Sequence, residues 1–182
     1  MTRLLDADVE RLLDLGAAEP EPVVEAMTTY GREHSFPIVG PAVGRFLRVA
    51  ATMVGAERIF EFGSGFGYSA VWFAGALPES GEIVLTDYDE DNLERAREFM
   101  RDAGYDELTT YRAGDAVQAF ETMDGDFDVV LIDHEKERYT DAFERAADGL
   151  ADGGVVIADN VMDGPVEPAD VAAVLDGAEP TD

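Results

Sequence analysis

The chain has 182 residues, 46% of them hydrophobic, enough for one folded core and too apolar for disorder. It carries 40 acidic residues against 13 lysines and arginines; the formal net charge of -27 excludes nucleic-acid backbones and anionic membranes as partners by repulsion. With no cysteine, disulfides and thiolate metal sites are also excluded. There is no apolar run of membrane-spanning length. The acid-rich start, MTRLLDADVERLLDLG, predicts no signal peptide, so the cytoplasm is the default location.

No repeat or low-complexity linker divides the chain, and 1–182 reads as a single domain. Helical periodicity dominates 1–55: LLDADVERLLDLG, then PVVEAMTTYGREH, then AVGRFLRVAATMVG after a loop over Ser35–Pro41. From 56 to 162 strands and helices alternate. The strand candidates are 58–62, 82–87, 108–113, 127–133 and 154–159. The runs VVLI and VVIA are almost continuously apolar, as strands covered on both faces are. The pattern predicts an α/β fold, a doubly wound and mainly parallel sheet.

In such sheets ligands bind beyond the carboxyl ends of the strands. Those ends carry Glu61, Asp87, Asp115, Asp133 and Asp159-Asn160. The apolar runs define these positions, so the convergence of acids on one rim is informative. Between the first strand and its helix lies EFGSGFGYS, where Gly63, Gly65 and Gly67 allow a sharp turn and close approach to a ligand. The spacing G-x-G-x-G departs from the dinucleotide pattern G-x-G-x-x-G, and no GK[ST] follows. The Asp87 carboxylate can bridge a ribose diol of a dinucleotide or an S-adenosyl ligand. Glu61, one residue before the glycines, disfavours a pyrophosphate and suits a positively charged ligand. The alternative is a tight turn without a ligand.

The order EFGSGFGYS, LTDYDEDN, GDA, IDHEKERY and ADN resembles the metal-dependent O-methyltransferases, the catechol and caffeoyl-CoA O-methyltransferase family, over about 36–162. The resemblance implies a Rossmann-like methyltransferase fold, S-adenosylmethionine as cofactor and a divalent cation, usually magnesium. It implies that Glu61, Gly63, Ser64, Gly65 and Ser69 surround the methionine end of the cofactor. Asp87 would hold the ribose, with Tyr88 against the adenine. Gly114, Asp115 and Ala116 would sit at the adenine edge, and His134 nearby. Ile38 and Val39 would flank cofactor and acceptor. Asp133, Asp159 and Asn160 would bind the cation, with Asp133 also near the cofactor, and Lys136 would be the general base or electrostatic partner of the acceptor hydroxyl.

Independent chemistry agrees. Two carboxylates and an amide make a hard-oxygen site suited to Mg²⁺, to which a diol could chelate. Lys136 is the single lysine of the chain, and an arginine there could not give up its proton. The competing reading is a surface lysine paired with Glu135 or Glu137. The Asp-Asn pair could equally be only a turn. Trp72 and Phe73 read as core, His34 as a helix end, and Tyr139 as packing.

Two departures stand out. Glu135 replaces an aromatic found in several catechol-type relatives. The tail 163–182 has no β-branched run, so the C-terminal strand pair of the family is expected to be missing and the fifth strand to be an edge. The dispersed acid resembles cytosolic proteins of extreme halophiles. The expected function is O-methylation of a small catechol-like or phenolic acceptor. The alternatives are a cofactor-binding protein of the same fold without transferase activity, and an NAD-dependent oxidoreductase. The sequence is silent on the oligomer and leaves a homodimer open.

Overall fold

The computed structural model describes residues 20–160. The expected N-terminal helix over LLDADVERLLDLG and the 163–182 tail lie outside them. Helices α1 (Pro22–His34) and α2 (Gly40–Val54) lead into five strands: β1 (Arg58–Phe62), β2 (Glu82–Asp87), β3 (Thr109–Ala113), β4 (Phe127–Ile132) and β5 (Leu150–Ala158). Between them run α3 (Tyr68–Ala74), α4 (Glu90–Asp102), α5 (Ala116–Glu121) and α6 (Tyr139–Asp148). The five strands form one sheet in the order β3-β2-β1-β4-β5, and every pairing is parallel. The strand order reverses between β1 and β4, the switch point at which doubly wound sheets bind ligands.

Period-two alternation explains the two cores. Ile59, Ile83, Leu85, Val129 and Leu131 face a layer built from α1 to α4. Phe60, Phe62, Val84, Val130 and Ile132 face α5 and α6 on the other side. There Phe60 meets Phe120 edge-on with ring centroids 4.9 Å apart, and Phe62 stacks on the same ring at 5.3 Å. Trp72 and Phe73 are core residues, as expected, at 6% and 0% exposure. His34 ends α1, where its ring stacks on Tyr30 with centroids 4.0 Å apart.

The fifth strand departs from its expected limits of 154–159. It starts at Leu150, opposite Phe127, and its register then jumps so that Val129 pairs Val155. The extra residues bulge out around Gly153, whose φ is +84°. ADGG has the composition of a turn, which is why the sequence places the strand later. Among the described strands β5 pairs only β4, and its Val155, Val156 and Ile157 are half-buried where Val129 to Ile132 are buried. Within the described residues, no helix is long and apolar enough to cross a membrane.

Candidate active site

A cavity of about 820 Å³ opens at the carboxyl ends of the strands. Its floor is the β1–α3 loop. Here Gly63 has φ +82°, and a Cβ at this position would fall 2.5 Å from the Asp133 carbonyl oxygen and 2.9 Å from His134 Cβ. Only glycine allows the loops after β1 and β4 to approach this closely. Thr86, fully buried, staples the loop to β2. Its hydroxyl donates to the Glu61 carbonyl at 2.6 Å and accepts from Gly63 N at 3.3 Å; its N–H donates to Ser64 Oγ at 3.1 Å. Ser64 N donates to the Thr86 carbonyl at 2.7 Å in return. Sequence reasoning missed Thr86, because one threonine at a strand end has no distinctive pattern.

Glu61 lies beneath this loop at 0% exposure. Its carboxyl is pushed up to about 8, chiefly by burial, with the Ser69 and Ser64 hydroxyls pulling down and Asp133 adding to the rise. Neither oxygen has a hydrogen-bond partner of good geometry, so the serine hydroxyls are near neighbours and not full partners. A buried acid with nothing to neutralise it is matched to a cationic ligand group.

Asp87 closes β2 and lines the cavity. Its carboxylate accepts from Gly65 N at 3.0 Å, Asp89 N at 2.8 Å and Asn92 Nδ2 at 3.1 Å, which fixes its orientation and leaves lone-pair directions open. Tyr88 follows, 53% exposed. Gly114 and Ala116 line the same cavity, whereas Asp115 does not. Asp115 caps α5, accepting from Val117 N and Gln118 N, and is gripped by Arg138. That grip, ahead of the cap, holds its carboxyl below the ordinary range.

On the opposite wall stand Asp133, His134, Asp159 and Asn160. Burial pushes the Asp133 carboxyl up to about 7, and the charge of Asp159 adds to it. Asp159 accepts from Asn160 N at 2.8 Å and Nδ2 at 3.3 Å, and Asn160 sits in the left-handed region at φ 55°. Among the described residues no three His, Cys, Asp or Glu side chains come together as a metal site. The oxygen-bearing side chains on this part of the wall are the two carboxylates of Asp133 and Asp159 and the amide of Asn160. A half-buried acid whose proton affinity is raised by burial and by a neighbouring carboxylate is a chemistry a divalent cation relieves. Both ring nitrogens of His134 are buried without a hydrogen bond, and its ring lies between Phe62 and Tyr139 at 5.6 and 5.5 Å. Burial pushes its pKa down.

The O-methyltransferase sequence profile matches residues 17–173, most of the chain. The chain belongs to the O-methyltransferase family. Among its relatives, the catechol O-methyltransferase of Niastella koreensis is 35% identical over 128 residues, which is 68% of this chain and 58% of that protein. The caffeoyl-CoA O-methyltransferase of Medicago sativa is 30% identical over 125 residues, 65% of this chain and 51% of that protein. The chain thus spans little more than half the length of these curated relatives. A methyltransferase structure from Geobacter sulfurreducens superimposes with a TM-score of 0.85 at 29% identity, covering 96% of this chain and 88% of that one. The O-methyltransferase TomG of Streptomyces achromogenes, in complex with SAM, gives 0.80 at 27% identity, covering 96% and 78%. The Rossmann-like methyltransferase fold is thereby shown.

Measured against the family expectation, the sequence-predicted residues divide three ways. Ile38 and Val39, the loop residues Gly63, Ser64 and Gly65, and Ser69 at the start of α3 line the cleft, as do Asp87, Tyr88, Gly114, Ala116, Asp133, His134, Asp159 and Asn160. Glu61 lies under it and Asp115 is turned from it. Lys136 does not line it: the residue is exposed, on a short 3₁₀ turn Lys136–Arg138, one position beyond the cleft-lining Glu135. Phe36 was not foreseen. It lines the cleft and packs edge-on against Phe66 at 5.0 Å, and a loop aromatic of this kind carries no spacing signal.

Proposed function

We propose that this chain is an S-adenosylmethionine-dependent, divalent-metal-dependent O-methyltransferase of a small catechol-like or phenolic acceptor. The observation that carries the reading is the arrangement across one cleft at the switch point. A buried uncompensated acid, Glu61, and the ribose-directed Asp87 lie on one side, and the oxygen set Asp133, Asp159 and Asn160 on the other. When bound, S-adenosylmethionine supplies the methyl group, and a divalent cation such as Mg²⁺ lends Lewis acidity to the acceptor oxygens.

The chain's own residues do the rest. Glu61 balances positive charge at the methionine end, and Ser64 and Ser69 offer hydroxyls beside it. Asp87 receives the ribose hydroxyls in its open lone-pair directions, with Tyr88 beyond it for the base. Asp133, Asp159 and Asn160 would hold the cation and leave positions for a vicinal diol. Phe36, Ile38 and Val39 give the cleft an apolar side that suits an aromatic ring and excludes water. Lys136, exposed one position beyond the cleft wall, would have to turn inward to take the proton of the acceptor hydroxyl or steady its negative oxygen. Most of the rate enhancement then lies in positioning.

A second reading is a cofactor-binding member of the same fold without transferase activity. The exposed position of Lys136 favours it. The buried acid under the glycine loop argues against a dinucleotide, whose pyrophosphate it would repel. The deciding assay is transfer of labelled methyl from S-adenosylmethionine to catechol in high salt, with magnesium and with a chelator. Magnesium-dependent transfer is expected. Cofactor binding without turnover across a panel of phenolic acceptors would establish the second reading instead.

A further inference from the structure

Arg138 ends the turn that begins at Lys136, and its guanidinium reaches three ways. Nη1 donates to the Tyr88 hydroxyl and to Asp115 Oδ2, both at 3.1 Å, and Nη2 donates to Asp115 Oδ1 at 3.3 Å. Nε pairs with Asp141 Oδ2 at 3.5 Å. One side chain thus joins the segments that follow β2, β3 and β4.

Each contact has a consequence for the cleft. Asp115 is held on both sides, by the two-pronged guanidinium and by the α5 backbone, so its carboxylate is kept off the cavity wall. That leaves Gly114 and Ala116 to form the wall, with little side chain to obstruct a flat group. Tyr88 is 53% exposed, so core packing does little to fix its ring. The hydroxyl contact with Arg138 holds it in one orientation beside Asp87. An exposed aromatic held by its tip next to a ribose-directed carboxylate is arranged to stack a base.

We propose that Arg138 is a positioning residue for the nucleobase half of the cofactor. It fixes the Tyr88 ring as a stacking platform and withdraws Asp115, so the edge of the base meets the backbone of residues 114–116 and not a carboxylate. This inference rests on the S-adenosyl reading of the cleft proposed above, and it revises the expected role of Asp115.

The test is calorimetric titration of S-adenosylhomocysteine, in high salt and without metal or acceptor, into the wild type, Arg138→Gln, Arg138→Lys, Tyr88→Phe and the Arg138→Gln/Tyr88→Phe pair. Thermal unfolding of each variant shows that it is folded at the titration temperature. Loss of charge-assisted hydrogen bonds should weaken Arg138→Gln roughly tenfold or more. Arg138→Lys, which keeps the charge but not the fork, should fall between it and the wild type. Tyr88→Phe should lose severalfold, and the double variant should be no weaker than Arg138→Gln alone, because the two residues act through one contact. A merely structural role would lower the unfolding temperature and leave affinity and coupling unchanged. Wild-type affinity in folded Arg138→Gln, or independent additive losses, overturns the proposal while leaving the cofactor reading intact. Failure of the wild type to bind overturns the cofactor reading and this one with it. If Arg138→Gln does not fold, Tyr88→Phe decides alone: it removes one oxygen from an exposed ring, and full affinity there overturns the proposal.

Discussion

Tyr139 donates its hydroxyl to the backbone carbonyl of Asp159 at 2.9 Å, tying the first residue of α6 to the end of β5. Burial, then the charges of Asp133 and Asp159, pushes its phenol up to about 12, so it remains a donor across the working range. The contact bridges the loop carrying Asp133 and the turn carrying Asp159 and Asn160. Reading Tyr139 as packing alone understates it. Tyr139→Phe keeps the ring beside His134 and removes only this tether. The expected loss of stability is about 1 kcal/mol by denaturant unfolding. If the oxygen set binds a cation, the magnesium concentration giving half-maximal activity should rise in the same variant. An unchanged magnesium dependence would mean that Asp159 is positioned without the tyrosine.

Gly63 and Gly104 separate two costs that usually occur together. Their φ values are nearly equal, +82° and +81°, but a Cβ at 63 meets Asp133 and His134 whereas one at 104 meets nothing within 4 Å. Gly104→Ala should therefore cost about 1 kcal/mol, the penalty of the left-handed backbone alone. Gly63→Ala should cost roughly 3 kcal/mol or more, because the β1–α3 and β4–α6 loops must also part. It should also weaken S-adenosylhomocysteine binding, which Gly104→Ala should leave unchanged. Equal destabilisation of the two variants would show that the loop approach is looser than described.

The contrast between these glycines shows what the residue pattern conveys. Gly63, Gly65 and Gly67 are conspicuous in EFGSGFGYS, and the apolar runs place Asp87, Asp133 and Asp159 at strand ends, because burial on both faces leaves a clear compositional mark. The lines of contact between loops leave none. Arg138 is one of many arginines, and nothing near it in sequence reveals that Tyr88 and Asp115 lie within its reach. Thr86 is unremarkable until it is seen satisfying both the Glu61 backbone carbonyl and the Gly63 N–H. Lys136 stands out by composition, yet its outward placement follows from a short 3₁₀ turn whose side-chain directions are not set by any repeating period. The late start assigned to β5 has a similar origin: ADGG is locally turn-like, and only pairing with β4 draws it into the strand.

Glu61 should leave a mark on stability against pH. Its ordinary value is 4.5, and in the folded chain it is held up at about 8, first by burial. Between these values the folded state keeps a proton that the unfolded state has released. Stability from this group is therefore fully present below the lower value and is lost as pH rises through the window to the upper one. Glu61→Gln, similar in shape and without the ionisation, should flatten that slope and be more stable than the wild type at pH values above about 8. It should also bind S-adenosylmethionine more weakly, since the carboxylate proposed to balance the positive charge is gone. Parallel stability curves for wild type and variant between these pH limits would show that the acid is not buried in solution.

Lys136 and Asp159 test opposite sides of the proposed chemistry. If Lys136 handles the acceptor proton, Lys136→Ala should lower turnover by about 10²- to 10⁴-fold and leave S-adenosylhomocysteine affinity unchanged. The residue is exposed and outside the cleft wall, so its folding cost should be small and the activity loss easy to interpret. Asp159→Ala acts differently. It removes one of the proposed oxygen ligands and also the charge that helps raise the Asp133 carboxyl, so activity should fall and magnesium should no longer stimulate what remains. The two variants together separate proton handling from cation binding, because only the second should change the response to magnesium. Full activity in Lys136→Ala would move the proton step to another group or to solvent, a result the exposed turn makes a sharp test.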